Sequence, residues 1–142
     1  MPLPQISHFL ENTPGRLAAI CHALTDGGVN IASLSLADTA EFGIVRLLVD
    51  KPEAARDLLK AAGFGVNVRD VVAIAASDEP GTLARALDTI DKTGANVEYM
   101  YAFAVRRGAE AVLVFRFDKT EEAEKALADA GFSLLAPDAL LS

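Results

Sequence analysis

Glu11-Asn12-Thr13-Pro14-Gly15-Arg16-Leu17, followed by Gly28-Val29-Asn30-Ile31, returns later in the chain as Asp78-Glu79-Pro80-Gly81-Thr82-Leu83 and Gly94-Ala95-Asn96-Val97. Pro14 and Pro80, Leu17 and Leu83, Gly28 and Gly94, and Asn30 and Asn96 are each 66 residues apart. A fixed offset held over that many positions marks an internal repeat. The fold question becomes what one unit looks like, and the functional question what its Pro-Gly turn and its Asn do.

Ahead of the turn, Ile6, His8 and Leu10 alternate with Ser7 and Phe9, which predicts a short strand from Gln5 to Leu10. Thr13-Pro14 is expected to start a helix, because Pro needs no N–H partner at the first helical position and Thr or Asn can cap just before it. Leu17, Ile20, Cys21 and Leu24 then form one apolar stripe. Gly27-Gly28 ends that helix. The stretches from Asn30 to Ala37 and from Phe42 to Asp50 are apolar and β-branched, and the short segment between them predicts a hairpin. Pro52 opens a second helix with Ala55, Leu58, Leu59 and Ala62 on its apolar stripe. Gly63-Phe64 closes it, with the phenylalanine folding back onto the helix end. Val66 to Val72 is a fourth strand running almost directly into Ala73 to Ser77, the first strand of the second copy, with no Gly/Ser-rich linker.

The second copy retraces this order, with Leu83, Ala86, Leu87 and Ile90 on its first stripe and Ala123, Ala126, Leu127 and Ala130 on its second. Ala62-Gly63-Phe64 returns as Ala130-Gly131-Phe132 at an offset of 68, so two residues are inserted between Asn96 and Ala123, most simply at the hairpin turn around Arg106-Arg107-Gly108. Asp50 and Asp118, which close strands before helices, are expected to cap those helices. The final segment, with Pro137, reads as a short edge strand.

Each copy is thus β-α-β-β-α-β, and right-handed crossovers fold that order into an antiparallel sheet with two helices on one face. The expected fold class is α+β: two ferredoxin-like units in tandem, residues 1–70 and 71–142. Packing side by side, with either the sheets abutting or their exposed faces in contact, is expected of units so closely joined.

Composition narrows the partners. With 51% hydrophobic and 23% charged residues the chain reads as globular rather than disordered. A net charge of −7 and a pI near 4.7 argue against nucleic acid or an anionic membrane surface as a partner. Cys21 stands alone, so no intramolecular disulfide forms, and a metal site would have to lean on His8, His22 and carboxylates. The chain has no basic start followed by an apolar run and no stretch of ~18 apolar residues. A cytoplasmic protein is expected.

His8-Phe9-Leu10-Glu11-Asn12-Thr13-Pro14-Gly15-Arg16-Leu17, followed by Gly28-Val29-Asn30-Ile31-Ala32, resembles the ACT domain, in particular the serine-sensing regulatory domain of phosphoglycerate dehydrogenase. The resemblance covers nearly the full length, once in each copy, and the whole chain is similar to stand-alone tandem ACT proteins. It implies a non-catalytic amino-acid sensor, with the ligand held between units by the strand-to-helix turn of one and the second strand of its neighbour. Carried over position by position, the ligand-binding residues are Asn12, Thr13, Gly15, Arg16, Asn30 and Ile31 in the first copy, and Asp78, Gly81, Thr82, Asn96, Val97 and Tyr99 in the second. No catalytic residue, metal or cofactor is implied. The implied partners are a small-molecule amino acid, a regulated metabolic enzyme and a second copy of the chain as a homodimer.

The two copies differ. Asp78 replaces Asn12, Tyr99 and Tyr101 replace Ser33 and Ser35, and Leu10 stands where serine-sensing relatives have a polar histidine, so serine specificity does not follow. The residues themselves point to the same turn. Backbone N–H groups at a helix start attract a carboxylate, glycine removes an obstructing Cβ, and asparagine offers donors and an acceptor to a zwitterion. Each signal has a plainer reading: the Pro-Gly pairs as helix starts, the asparagines as turn residues, the histidines as packed side chains. Two other functions compete with the sensor. One is an acylphosphatase-like hydrolase using Arg16 and Asn12, disfavoured by Thr82 at the second-copy Arg position; the other is a purely structural subunit.

Overall fold

The computed structural model describes residues 3–11, 13–38, 42–77, 79–104 and 110–136. Terminal residues aside, the chain divides between Arg69 and Asp70 into two compact units. The N-terminal unit carries β1 (Leu3–Glu11), α1 (Arg16–Asp26), β2 (Ile31–Asp38), β3 (Phe42–Val49) and α2 (Pro52–Ala61). β4 (Asn67–Ser77) leads the chain from one unit into the next. The C-terminal unit continues with α3 (Thr82–Asp91), β5 (Val97–Ala104), β6 (Glu110–Phe117), α4 (Thr120–Asp129) and β7 (Ser133–Leu134). Both are the β-α-β-β-α-β units expected, in an α+β ferredoxin-like fold. The two adjoining strands expected at the junction are the single strand β4, since neither Gly nor Pro interrupts extended backbone from Asn67 to Ser77.

In the N-terminal unit β3 lies between β1 and β2 and is antiparallel to both. Side chains alternate along each strand, so Ile6 and Leu10 of β1 share a face with Val45 and Leu47 of β3. Ile20 and Leu24 of α1, Ala55 and Leu59 of α2, and Phe64 close on that face to make the core. In the C-terminal unit β6 lies between β4 and β5, and β7 pairs with β4. Val72, Ile74, Leu113, Phe115 and Phe117 meet Ala86, Ile90, Ala123, Leu127 and Phe132 in the equivalent core. The apolar stripes read from helical spacing are therefore the buried or half-buried faces except at their ends, where Leu83 is 41% exposed and Ala62 and Ala130 are exposed too.

The second helix of each unit ends as its Ala-Gly-Phe sequence requires. Gly63 and Gly131 adopt φ of 89° and 91°. The Phe64 and Phe132 N–H groups reach back to the Leu59 and Leu127 carbonyls at 2.9 and 3.0 Å, and the phenylalanine rings enter the cores. A side chain in that left-handed conformation costs roughly 1–2 kcal/mol, so glycine is the residue that fits.

Strand register also places the insertion. Ala37↔Ile44 corresponds to Phe103↔Val112, so the offset changes from 66 to 68 within the second hairpin turn. Arg106, Arg107 and Gly108, where the insertion was expected, lie outside the described residues. Both second strands carry a register shift at the same place, between Ile31 and Ser33 and between Val97 and Tyr99. Among the described residues no helix is long and apolar enough to cross a membrane.

Candidate functional site

The turn between β1 and α1 is built differently from the expected helix start. The Thr13 N–H donates to the Glu11 carbonyl at 2.8 Å, and Gly15, with φ 85°, is the residue that caps α1. That φ lies outside the right-handed helix, so α1 begins at Arg16 and Pro14 belongs to the preceding turn. Pro80-Gly81 repeats the geometry, with Gly81 at φ 92° and α3 beginning at Thr82. A Cβ on Gly15 would meet nothing within 4 Å, so backbone conformation rather than space demands glycine there.

These two helix starts share an electrostatic feature. Neither α1 nor α3 has an acidic residue in its first turn, whereas α2 has Glu53 and α4 has Glu121 and Glu122. First-turn N–H groups have no intrahelical partner, and the dipole adds positive potential there. An anionic group is favoured at such an end.

In the N-terminal unit the turn borders a cleft of about 170 Å³ lined by Leu10, Glu11, Thr13, Gly15, Leu17, Ala18, Leu36 and Gly43. Topology explains why these residues meet. β1 and β2 both run antiparallel to β3, so both end where β3 begins: Leu10 pairs with Gly43, and Leu36 pairs with Val45. Leu10 and Leu36 face the helix side, Leu10 buried and Leu36 50% exposed. A Cβ on Gly43 would stand 3.1 Å from Leu36 Cδ1, so glycine keeps the floor between them open. The result is an apolar floor beneath a polar rim of Glu11 and Thr13.

At the corresponding turn of the C-terminal unit the chemistry changes. The repeat offsets place Ala76, Ala102 and Ala111 where the first copy has Leu10, Leu36 and Gly43, and Ser77 where it has Glu11. The Ser77 and Thr82 hydroxyls lie 3.3 Å apart in a hydrogen bond across this turn.

Asn30 and Asn96 are placed elsewhere. The Asn30 N–H donates to Asp50 Oδ1 at 2.9 Å while the Asp50 N–H donates to the Asn30 carbonyl at 3.1 Å. Asn96 and Asp118 repeat the exchange at 2.7 and 3.3 Å. The aspartates expected to cap α2 and α4 instead secure the starts of β2 and β5; Lys51 and Lys119 occupy the N-cap positions. Within each unit the asparagine precedes the second strand, whereas the Pro-Gly turn lies by that strand's far end. An eight-residue strand spans about 26 Å. The turn and the asparagine of one unit therefore do not converge.

Of the other residues singled out by sequence, Ile31 and Val97 pack against the cores, and Tyr99 is half-buried on β5 opposite Arg116. Arg16 places its guanidinium carbon 4.9 Å from the centre of the Phe64 ring. His8 meets the same ring edge-on at 5.4 Å and donates from Nδ1 to the Gly65 carbonyl. With Thr82 in the position of Arg16, Arg85 takes over the stacking role one turn along α3, its guanidinium 4.2 Å from the centre of Phe132. Asn12 and Asp78 lie outside the described residues. Sequence reasoning missed Leu36 and Gly43 as neighbours of the turn, since only strand register brings them there; the apolar Leu36 so close to the hairpin turn was the available signal.

Two β-α-β-β-α-β units in tandem, with a cleft at a Pro-Gly strand-to-helix turn, define a duplicated ferredoxin-like protein. The profile of the family described as ACT domain pair matches residues 1–142, and the chain belongs to that family. Protein BT0572 from Bacteroides thetaiotaomicron is 36% identical, with a TM-score of 0.92 and with 99% of this chain and 96% of that one covered. The ligand-free regulatory subunit of aspartate kinase from Thermus thermophilus shares the fold at 20% identity and a TM-score of 0.65, covering 92% and 94% of the two chains. The regulatory subunit from Thermus flavus does so at 17% and 0.62, covering 92% and 93%. Among curated proteins no match is significant.

Proposed function

We propose that this chain is a non-catalytic regulatory protein that binds a free amino acid at the β1–α1 turn of its N-terminal unit. Residues 1–70 and 71–142 act as its two domains, and binding is coupled to a partner enzyme or to self-assembly as a homodimer in the cytoplasm. The observation that carries this reading is the cleft lined by Thr13 and Gly15 in a member of the ACT domain pair family. The ligand carboxylate is oriented toward the first-turn N–H groups of α1, which face no acidic side chain in that turn. Glu11 and the Thr13 hydroxyl on the rim suit the ammonium group. Stacking of Arg16 on Phe64 and the bond from His8 to Gly65 engage both side chains in packing, which favours a binding role over hydrolysis. A ligand that shifts partner affinity tenfold must distinguish the two states by about 1.4 kcal/mol.

Calorimetry of the full chain against the twenty amino acids tests the proposal. Saturable binding of one or a few, weakened by Glu11→Gln and Thr13→Ala, is the expected result. Heat from none of them would contradict it.

A further inference from the structure

Resting on that proposed site, we infer that the ligand is an amino acid with a compact branched aliphatic side chain, of the valine, leucine and isoleucine class, and that each chain binds one. Among the described lining residues, Leu10, Leu17, Ala18 and Leu36 are apolar, and the polar side chains Glu11 and Thr13 belong to the rim. The rim is matched to the ligand's main-chain charges, and among the described residues no lining side chain is left to pair a polar or charged ligand side chain on the floor. A dry apolar cavity of about 150 Å³ accepts a benzene-sized guest. A cleft of about 170 Å³ accordingly has room for a branched aliphatic group beneath the main-chain groups at its mouth. Each methylene buried there is worth about a fourfold gain in affinity, so valine exceeds alanine by at least tenfold. A serine hydroxyl or an ionised side chain on the same floor loses water without gaining a partner.

The C-terminal turn is not an equivalent site. Ala76 and Ala102 replace the leucine walls, Ala111 stands for Gly43, and the Ser77–Thr82 hydrogen bond crosses the turn. The repeat has kept the backbone corner and changed the surface around it.

Calorimetry of the full chain with valine, leucine, isoleucine, alanine, serine, aspartate and lysine, together with three variants, decides the matter. The three branched amino acids are expected to bind at one per chain, at least tenfold tighter than alanine or serine. Leu36→Ser, at a half-exposed position, should weaken leucine about tenfold or more with little change in the urea midpoint. Gly43→Ala sets a methyl against Leu36 and should weaken leucine more than valine. Ala102→Ser, the matched change in the other unit, should leave binding unchanged. A preference for serine, aspartate or lysine, two ligands per chain, or indifference to both Leu36→Ser and Gly43→Ala would overturn this inference while leaving an amino-acid sensor standing. Binding of no amino acid at all would overturn the proposed function with it.

Discussion

Replacing Leu127 by alanine is expected to cost about 3–5 kcal/mol, because its side chain is fully buried between α4 and the sheet of the C-terminal unit. Three carbons at ~0.8 kcal/mol each give about 2.4 kcal/mol of lost transfer free energy, and the unrelaxed cavity adds the rest. Leu59→Ala, the repeat-related change in a core of the same construction, should fall in the same range. Leu83 completes the comparison. It occupies an apolar stripe position by spacing, yet it is 41% exposed, so Leu83→Ala should cost under about 1 kcal/mol. Urea denaturation reads these differences directly: with a slope of ~1–3 kcal/mol per molar, the buried replacements lower the midpoint by roughly 1 M or more and the exposed one by a fraction of that. Equal losses for Leu83→Ala and Leu127→Ala would refute the assignment of the core from packing.

Further outcomes follow from local geometry. Gly63→Ala and Gly131→Ala, at φ near 90°, should each cost about 1–2 kcal/mol, while Gly65→Ala, whose Cβ meets nothing within 4 Å, should cost under about 0.5 kcal/mol by the same denaturation. Asp118→Ala removes the acceptor of the Asn96 N–H; a loss of about 1 kcal/mol and faster hydrogen exchange at that amide are expected. Arg85→Ala should cost about 0.5–1 kcal/mol, and adding Thr82→Arg, which recreates the first copy's arrangement, should restore part of it.

Much of the fold was legible because two independent periodicities agree. Helical spacing marked Ile20, Leu24, Ala86 and Ile90 as buried, and the 66-residue offset required both copies to adopt the same element order. The Ala-Gly-Phe closures were legible for a local reason, since glycine and phenylalanine act within one turn of the helix end. What sequence could not supply was long-range. Asp50 sits where a helix cap is plausible, but its acceptor is taken by a backbone N–H twenty residues away. Gly15 reads as a residue inside a helix until its φ shows that the helix starts after it. Leu36 and Gly43 reach the turn only through antiparallel register, and Asn30 lies at the opposite end of its strand because β2 runs in the same direction as β1.

An NMR titration of the full chain with leucine most directly tests whether the β1–α1 turn is the binding site. The backbone amides of Gly15, Leu17, Ala18, Leu36 and Gly43 should shift together and saturate with a single affinity, leaving those of Gly81, Ala84 and Ala102 in place. Saturable shifts confined to other parts of the chain, or none at any concentration, would contradict it.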